Sequence, residues 1–567
     1  MIQTDLLEFI HENLSLFNGK TRIRSSGSIF KTQDGKQVHS KVIEKISKEF
    51  VFDETSGLLN FFSFSQDLNE LKRRQEFFSK RDKTNNEFLK NIEKPRAVWK
   101  PKYEVVVATE DEYLFVDLQK LGCPARFIIN EEDVSSLENC DIVQVLECEQ
   151  FKQILETLPQ SVLLDSIEEA YLERYVELLS GWRKTIEILN ANRLDDGTRT
   201  IVDELFPLLR LTDDKTLEKI TREQASNKLE EINDNINQKL RNMSISGDKL
   251  ISILNKKMPE EIEMMVVEEI KKTNIPENIF SLSMPVSIDE QELERFMKMQ
   301  NSEEHTSIAE MIKKNAKVLK NIPEKLRELE TRIIYFDFCS GVSKFIQGFQ
   351  NVEFSNQLEI ENSKNIFLNN PQAISFKLDN NSRCSILTGA NSGGKTTLLE
   401  HIIQILSLAS FGMPVSGRIK MPIFSEIYYF AKNKGSMSKG AFETLLGQMA
   451  EIKTGRQTLI LADEMEAVTE PGVAGKIVNA TAEYFINKNC FMIIATHLGQ
   501  EISKHLPKNA RIDGIEASGL DENFELMVNH NPVLGKIASS TPELIVEKLA
   551  NTRKEEYFSF IHEFLKR

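Results

Sequence analysis

The chain has 567 residues, 71 basic and 86 acidic, with a formal net charge of −15. At about 150 residues per domain, that length holds several domains and more than one core. Hydrophobic residues at 40% and charged residues at 28% exclude a disordered chain or a collagen-like fibre. The acidic balance argues against a polycationic nucleic-acid coat, although local basic grooves stay open.

Six scattered cysteines without a Cys-x-x-Cys pair suit the reduced thiols of a cytoplasmic protein. The N-terminus lacks the basic-then-apolar layout of a signal peptide, and no stretch approaches the ~20 apolar residues of a membrane span. A cytoplasmic protein with no membrane partner is expected.

Residues 1–100 read as an N-terminal helical region. A helix is predicted over 6–16, followed by a polar stretch around Asp34 and Gly35 with no assignable chemistry. Further on, Phe64, Leu68, Leu71 and Phe78 share one helical face. Lys72, Arg73, Arg74, Lys80 and Arg81 form a basic cluster there, which suits a solvated helix face or a DNA-backbone contact equally.

Residues 101–160 carry β-rich runs at 103–109, 125–129 and 141–146 with helical stretches between them, a small α/β unit. It lacks a Gly-rich phosphate loop, so interaction or packing is its expected role. Residues 161–350 turn helical, the pattern of a helical core and lever. Leu229, Ile232, Ile236, Leu240 and Met243 recur at steps of three and four. Beyond Pro259, Pro276 and Pro285, a heptad seam runs through Leu319, Ile322, Leu326, Leu329, Ile333 and Phe336. Pro323 predicts a kink or restart. The arrangement suggests an antiparallel coiled-coil lever with an irregular tip, or separate helices of an ordinary bundle.

In residues 351–567, apolar runs at 383–388, 427–430, 458–462 and 491–495 alternate with helices. Consecutive Ile, Leu and Met mark parallel strands buried on both faces. The fold class is therefore α/β and multidomain, ending in a domain with an open, mainly parallel sheet.

The chemistry concentrates in that last region. Gly389, Ala390, Asn391, Ser392, Gly393, Gly394, Lys395, Thr396 and Thr397 follow an apolar strand and open a helix, the setting of a phosphate-binding loop (P-loop). Glycines let backbone N–H groups wrap the phosphates, and the helix N-terminus adds positive potential. Lys395 would reach the β- and γ-phosphates, and Thr396 would hold Mg2+ through its hydroxyl. About seventy residues on, an apolar strand ends in Asp463 and Glu464. Asp463 can bind the metal, and Glu464 can orient and polarise the attacking water. The next such strand ends in Thr496 and His497, placing an imidazole where the γ-phosphate or the water could be sensed.

Together these residues resemble the ATPase domain of the MutS family of DNA mismatch-repair proteins, over about residues 365–500. That family's loop reads Gly-Pro-Asn-x-Gly-Gly-Lys-Ser/Thr-Thr; here Ala390 replaces the proline. The strand ends Asp463-Glu464 and Ala495-Thr496-His497 match, and the branch resembled is the archaeal part of the family's second group. The resemblance implies ATP and Mg2+ as cofactors, ATP hydrolysis, a clamp of long helices that binds DNA without sequence preference, and a homodimer. It also implies an apolar contact for adenine just before the sheet, for which Phe367 is the choice, a core aromatic being the alternative. Lys256, Lys257, Lys313, Lys314 and Lys317 are candidates for DNA phosphates or ordinary surface lysines. Departures from the pattern shape the expectation. Neither mismatch reading nor nuclease activity is expected, and if Phe442 is the phenylalanine of the family's signature loop, Gly440 and Ala441 replace its hydroxyl residues. The alternative function is a ribosome- or RNA-directed ATPase, since bacterial relatives of this group can act on ribosomes. An SMC-like tether is opposed by the lack of a Leu-Ser-Gly-Gly signature.

Overall fold

A computed structural model gives the fold. It describes every residue except 1, 18–27, 81–85, 97–98, 102, 214–218, 242–257, 390–393, 433–438, 466–470, 521–525, 539–541, 554 and 567, and only the backbone at 439–442, 518, 526 and 542–543. The chain forms two compact units, Glu93–Arg327 and a second made of Met1–Ile92 with Glu328–Arg567.

The Glu93–Arg327 unit contains a parallel sheet of β1 (Val105–Thr109), β2 (Ala125–Phe127), β3 (Ile142–Val145) and β4 (Ser161–Leu163), in the order β2-β1-β3-β4. Every residue of β1 and β3 is buried. Val105, Val107 and Ile142 enter one core, and Val106, Ala108, Val143 and Val145 enter another, so alternate side chains serve opposite faces. β4 lies past residue 160 because Val162 completes the first of these cores.

The helical stretch that follows differs from a bare lever with an irregular tip. Helix Arg222–Arg241 packs with helix Glu260–Lys271, in the proline-marked middle, through Ile232, Ile236, Ile262, Val266 and Ile270. A two-stranded hairpin, β5 (Phe280–Ser281) with β6 (Ser287–Ile288), joins the same core. Apolar residues at i, i+4 and i+8 suffice to fold that middle. The chain restarts at Ile322, with Pro323 in the first turn of helix Ile322–Phe345, where its missing N–H costs nothing. All six seam residues are buried, but so are Ile334, Tyr335, Asp337 and Phe338. Burial on every face marks a core helix at that end, not a two-stranded coil.

In the second unit, β10 (Cys384–Gly389), β12 (Glu426–Phe430), β13 (Thr458–Asp463), β14 (Phe491–Ala495), β15 (Ala510–Leu520) and β16 (Leu526–Leu534) form a sheet ordered β12-β13-β14-β10-β15-β16. All neighbours are parallel except β15 and β16. Leu387, Leu459, Leu461 and Ile493 point into the core that contains helix Lys395–Phe411, and Ile386, Ile460, Ala462 and Ile494 point into the core of helix Pro471–Asn487. A mixed sheet adjoins it, β7 (Glu353–Phe354), β8 (Leu358–Ser363), β9 (Ile374–Leu378) and β11 (Arg418–Met421), ordered β7-β11-β8-β9.

Residues 1–92 belong to this same unit. The polar stretch around Asp34 and Gly35 opens helix Gln33–Ser47, which buries Val38, Val42 and Ile46 and is N-capped by Thr32. Leu71 and Phe78 of helix Leu68–Ser79 are buried as their spacing predicts, but Leu68 is exposed. Within the basic cluster, Arg74 is buried, bonded to Glu70 and to the Ser63 carbonyl, and is no surface cation. Among the described residues no helix is long and apolar enough to cross a membrane, and all six cysteines are free thiols.

Candidate nucleotide site

The sheet order makes the site. β10 lies between β14 and β15; the chain leaves β10 toward β12 on the β14 side and later crosses from β14 to β15 on the other, so a crevice opens at these C-terminal strand ends. Gly389 ends β10 at φ +140°, where a Cβ would lie 2.6 Å from the Ile515 carbonyl oxygen, so only glycine fits. Residues 390–393 of the predicted loop lie outside the described residues. Gly394 then caps helix Lys395–Phe411 in the left-handed conformation, aiming its N-terminus at the crevice.

Lys395 is buried, donating to the Gly389 carbonyl at 2.6 Å and to His497 Nδ1 at 3.4 Å. His497 Nε2 lies 2.6 Å from Glu464 Oε1. If Nδ1 accepts from Lys395, Nε2 carries the proton and donates to the carboxylate. The other oxygen, Glu464 Oε2, is ion-paired with Lys432. Burial alone would raise the Glu464 carboxyl, but the hydrogen bonds and charges of Lys432 and His497 outweigh it and hold it below the usual range. Glu464 itself sits at φ 50°, with its N–H on the Ala495 carbonyl at 2.9 Å.

Thr396 Oγ1 donates to Asp463 Oδ2 at 2.5 Å, which joins the loop to the acidic strand. Asp463 Oδ1 is buried and has no hydrogen-bond partner among the described residues. Burial pushes this carboxyl up, with the Glu464 charge adding to the effect. An unpartnered buried carboxylate oxygen beside a threonine hydroxyl fits Mg2+, which takes one or two protein oxygens and completes its shell with phosphates and waters. No cluster of three or more His, Cys, Asp or Glu side chains able to hold a metal occurs among the described residues.

Thus Lys395, Thr396, Asp463, Glu464 and His497 converge, and Gly389, Gly394 and Thr397 frame them. Phe367 does not join them. The buried Asn365 side chain, bonded to Gln404 and to the Phe367 N–H, pins this segment so that Ile366 and Phe367 cover the core. Leu368 instead lines a cavity of about 170 Å³ with Pro371, Gly394, Thr397, His401 and His530. No sequence motif marks His401, His530 or Lys432. Phe442 and its neighbours lie where side chains are not described.

No family model matches the chain. It is 28% identical to the "DNA-binding protein MutS2" of Pyrococcus furiosus, over 94% of this chain and 99% of that protein. It is also 29% identical to the "Endonuclease MutS2" of Borreliella burgdorferi over 32% of this chain and 25% of that protein. The chain resembles the second group of the MutS family. A "DNA mismatch repair protein MutS" of Thermotoga petrophila is 25% identical over 36% of this chain and 26% of its own length. The MutS2 likeness thus runs along nearly the whole chain in one relative and along about a third of it in the other, and the MutS likeness along about a third.

Proposed function

We propose that this MutS2-like chain hydrolyses ATP and binds DNA without sequence preference, closing on it as a clamp, in the cytoplasm. The observation that carries the reading is the convergence at one crevice of Lys395, the Thr396–Asp463 pair with its unpartnered oxygen, and Glu464.

Thr396 and Asp463 would hold Mg2+, which when bound neutralises charge on the β- and γ-phosphates. Lys395 binds the same phosphates, and the Leu368–His530 cavity takes the nucleoside. Glu464 accepts a proton from water as the water oxygen bonds to the γ-phosphorus. The bond to the β,γ-bridging oxygen breaks, that oxygen keeps the electron pair, and ADP and inorganic phosphate result.

For DNA, Lys314 and Lys317 are exposed, whereas Lys313 is engaged with Asp165, Glu169 and the Leu163 carbonyl. Lys256 and Lys257 lie outside the described residues. Support for a homodimer comes from helix Glu556–Leu565, where Tyr557, Phe560 and Phe564 are each about two-thirds exposed along one face that a second copy would cover.

The test is steady-state ATP hydrolysis with and without duplex DNA across a salt series, for the wild type and Lys395→Ala. Expected are turnover that DNA alters, an effect that fades with salt, and a variant that loses nucleotide. Turnover indifferent to DNA at every salt would remove the DNA assignment and point to an RNA-directed ATPase. No turnover by the wild type would remove the ATPase.

A further inference from the structure

Glu464 is the first residue past the end of β13, which lies between β12 and β14. Lys432 stands two residues past the end of β12, as His497 stands two residues past the end of β14. The Glu464 carboxylate is therefore gripped from both neighbouring strands, by His497 on Oε1 and by Lys432 on Oε2. The Glu464 side chain is only 11% exposed, so its partners define its orientation.

Lys432 is itself placed from the N-terminus of the chain. Residues 29–34 run along the outer edge of β12. Ile427 N–H donates to the Ile29 carbonyl at 2.9 Å, and Lys31 N–H to the Ile427 carbonyl at 2.9 Å. Tyr429 N–H then donates to Thr32 Oγ1 at 3.0 Å, and Ala431 N–H to Asp34 Oδ2 at 3.1 Å. Every second N–H of the strand and its extension is thereby satisfied, and the last of these bonds fixes the residue just before Lys432. Edge strands need such cover, but a carboxylate on Ala431, beyond the strand's last residue, holds the exit of the chain and not its pairing.

We infer that Lys432 is a positioning residue for Glu464, and that Asp34 sets Lys432 in place. The inference rests on the ATPase reading above and adds the device that aims its water-activating carboxylate. Because Lys432 acts through Glu464, its loss misdirects the carboxylate without removing any group that holds the nucleotide. Misplacement of a reacting group by about 1 Å costs up to ~10²-fold in rate.

The experiment compares the wild type with Lys432→Met, Lys432→Arg, Asp34→Ala and Glu464→Gln, reading kcat for ATP and, separately, the Kd of a fluorescent non-hydrolysable ATP analogue. The expected result is a fall in kcat of about ten- to a hundredfold for Lys432→Met with Kd unchanged within about twofold. Lys432→Arg should recover most of the rate. Asp34→Ala should lower kcat less, and adding it to Lys432→Met should lower it no further. In the Glu464→Gln background, Lys432→Met should change nothing, and the melting temperatures of the four nucleotide-free proteins in that cycle should be non-additive. Parallel losses in kcat and Kd, additive melting temperatures, or an unchanged kcat would each overturn the role of Lys432. A wild type without turnover overturns the ATPase reading and this role together, whereas an active wild type with an equally active Lys432→Met overturns this role alone.

Discussion

Replacing Asp463 by asparagine should stabilise the nucleotide-free protein while abolishing its response to magnesium and nucleotide. In the folded state this carboxylate is buried, one oxygen accepts from Thr396, the other has no partner among the described residues, and the Glu464 charge is adjacent. Leaving a buried polar group unsatisfied costs about 1–3 kcal/mol, and more when it is charged. Asparagine keeps an acceptor for Thr396 and removes the charge, so the gain is the difference between a charged and a neutral unsatisfied group, about 1–2 kcal/mol. For a unit of this size about 1 kcal/mol moves the melting temperature by roughly 2–4 °C, which predicts a rise of roughly 2–8 °C. With magnesium and ATP at ~100-fold over Kd, the wild type should gain about 2.7 kcal/mol and overtake the variant. Differential scanning calorimetry of both proteins, with and without magnesium and a non-hydrolysable ATP analogue, makes the comparison. A variant that melts below the wild type without ligand would refute the reasoning, since the carboxylate would then be satisfied in the nucleotide-free fold. A variant stabilised by magnesium and nucleotide as much as the wild type would remove Asp463 from the metal site.

Three further outcomes are expected. Glu464→Gln should lower kcat by about 10²–10⁴-fold, the usual contribution of a positioned base, with nucleotide still bound in an equilibrium binding assay. Asp337 is fully buried and accepts from Val51 N–H, Phe52 N–H, Thr55 Oγ1 and Asn86 Nδ2, so Asp337→Ala should cost about 3–5 kcal/mol in denaturant unfolding by stranding these donors together. Glu269 is held down to about 2 by hydrogen bonds from Lys239 and Lys272. Its stabilisation is thus complete above the ordinary glutamate range and is lost as pH falls toward 2, so Glu269→Gln and wild type should converge in stability on acid titration.

What the sequence made legible follows from burial. β10, β13 and β14 are central parallel strands covered on both faces, so they are written as unbroken apolar runs, and the residues that end them carry the site. β15 and β16 pair antiparallel at the sheet edge, and their runs are broken by Asp513, Gly514, Glu516, Asn529 and Asn531, which hide the strand signal. Helix Gln33–Ser47 was readable from Val38, Val42 and Ile46, but Gly35 in its first turn disguised the start. Arg74 could not be read at all. Its burial depends on Ser63, Glu70 and the Phe62 ring closing round it, and none of these marks a lysine or arginine as internal. Lys432 was silent for a similar reason, because its partner is chosen by strand order and not by any local pattern.

Under the proposed ATPase function, the same strand order would join nucleotide binding to water activation. Without nucleotide, the lysine that should meet the phosphates is spent on the Gly389 carbonyl and on His497, and His497 in turn holds the base. A triphosphate that draws Lys395 away removes that donor at Nδ1, while the contact of Nε2 with Glu464 stays in place. Removing the imidazole should therefore have opposite effects on binding and turnover. In His497→Ala, Lys395 loses one competing partner, and a hydrogen bond at 3.4 Å lies at the weak end of about 0.5–1.5 kcal/mol, so the ATP analogue should bind about two- to fivefold more tightly. Turnover should fall by about tenfold or more, because Glu464 keeps Lys432 but loses the guide on its other oxygen. Kd by fluorescence titration and kcat by phosphate release, measured on the same preparation, separate the two effects. Weaker binding together with slower turnover would mean that His497 contacts the nucleotide directly. Tighter binding with slower turnover would mean that it relays the state of the phosphate loop to the carboxylate.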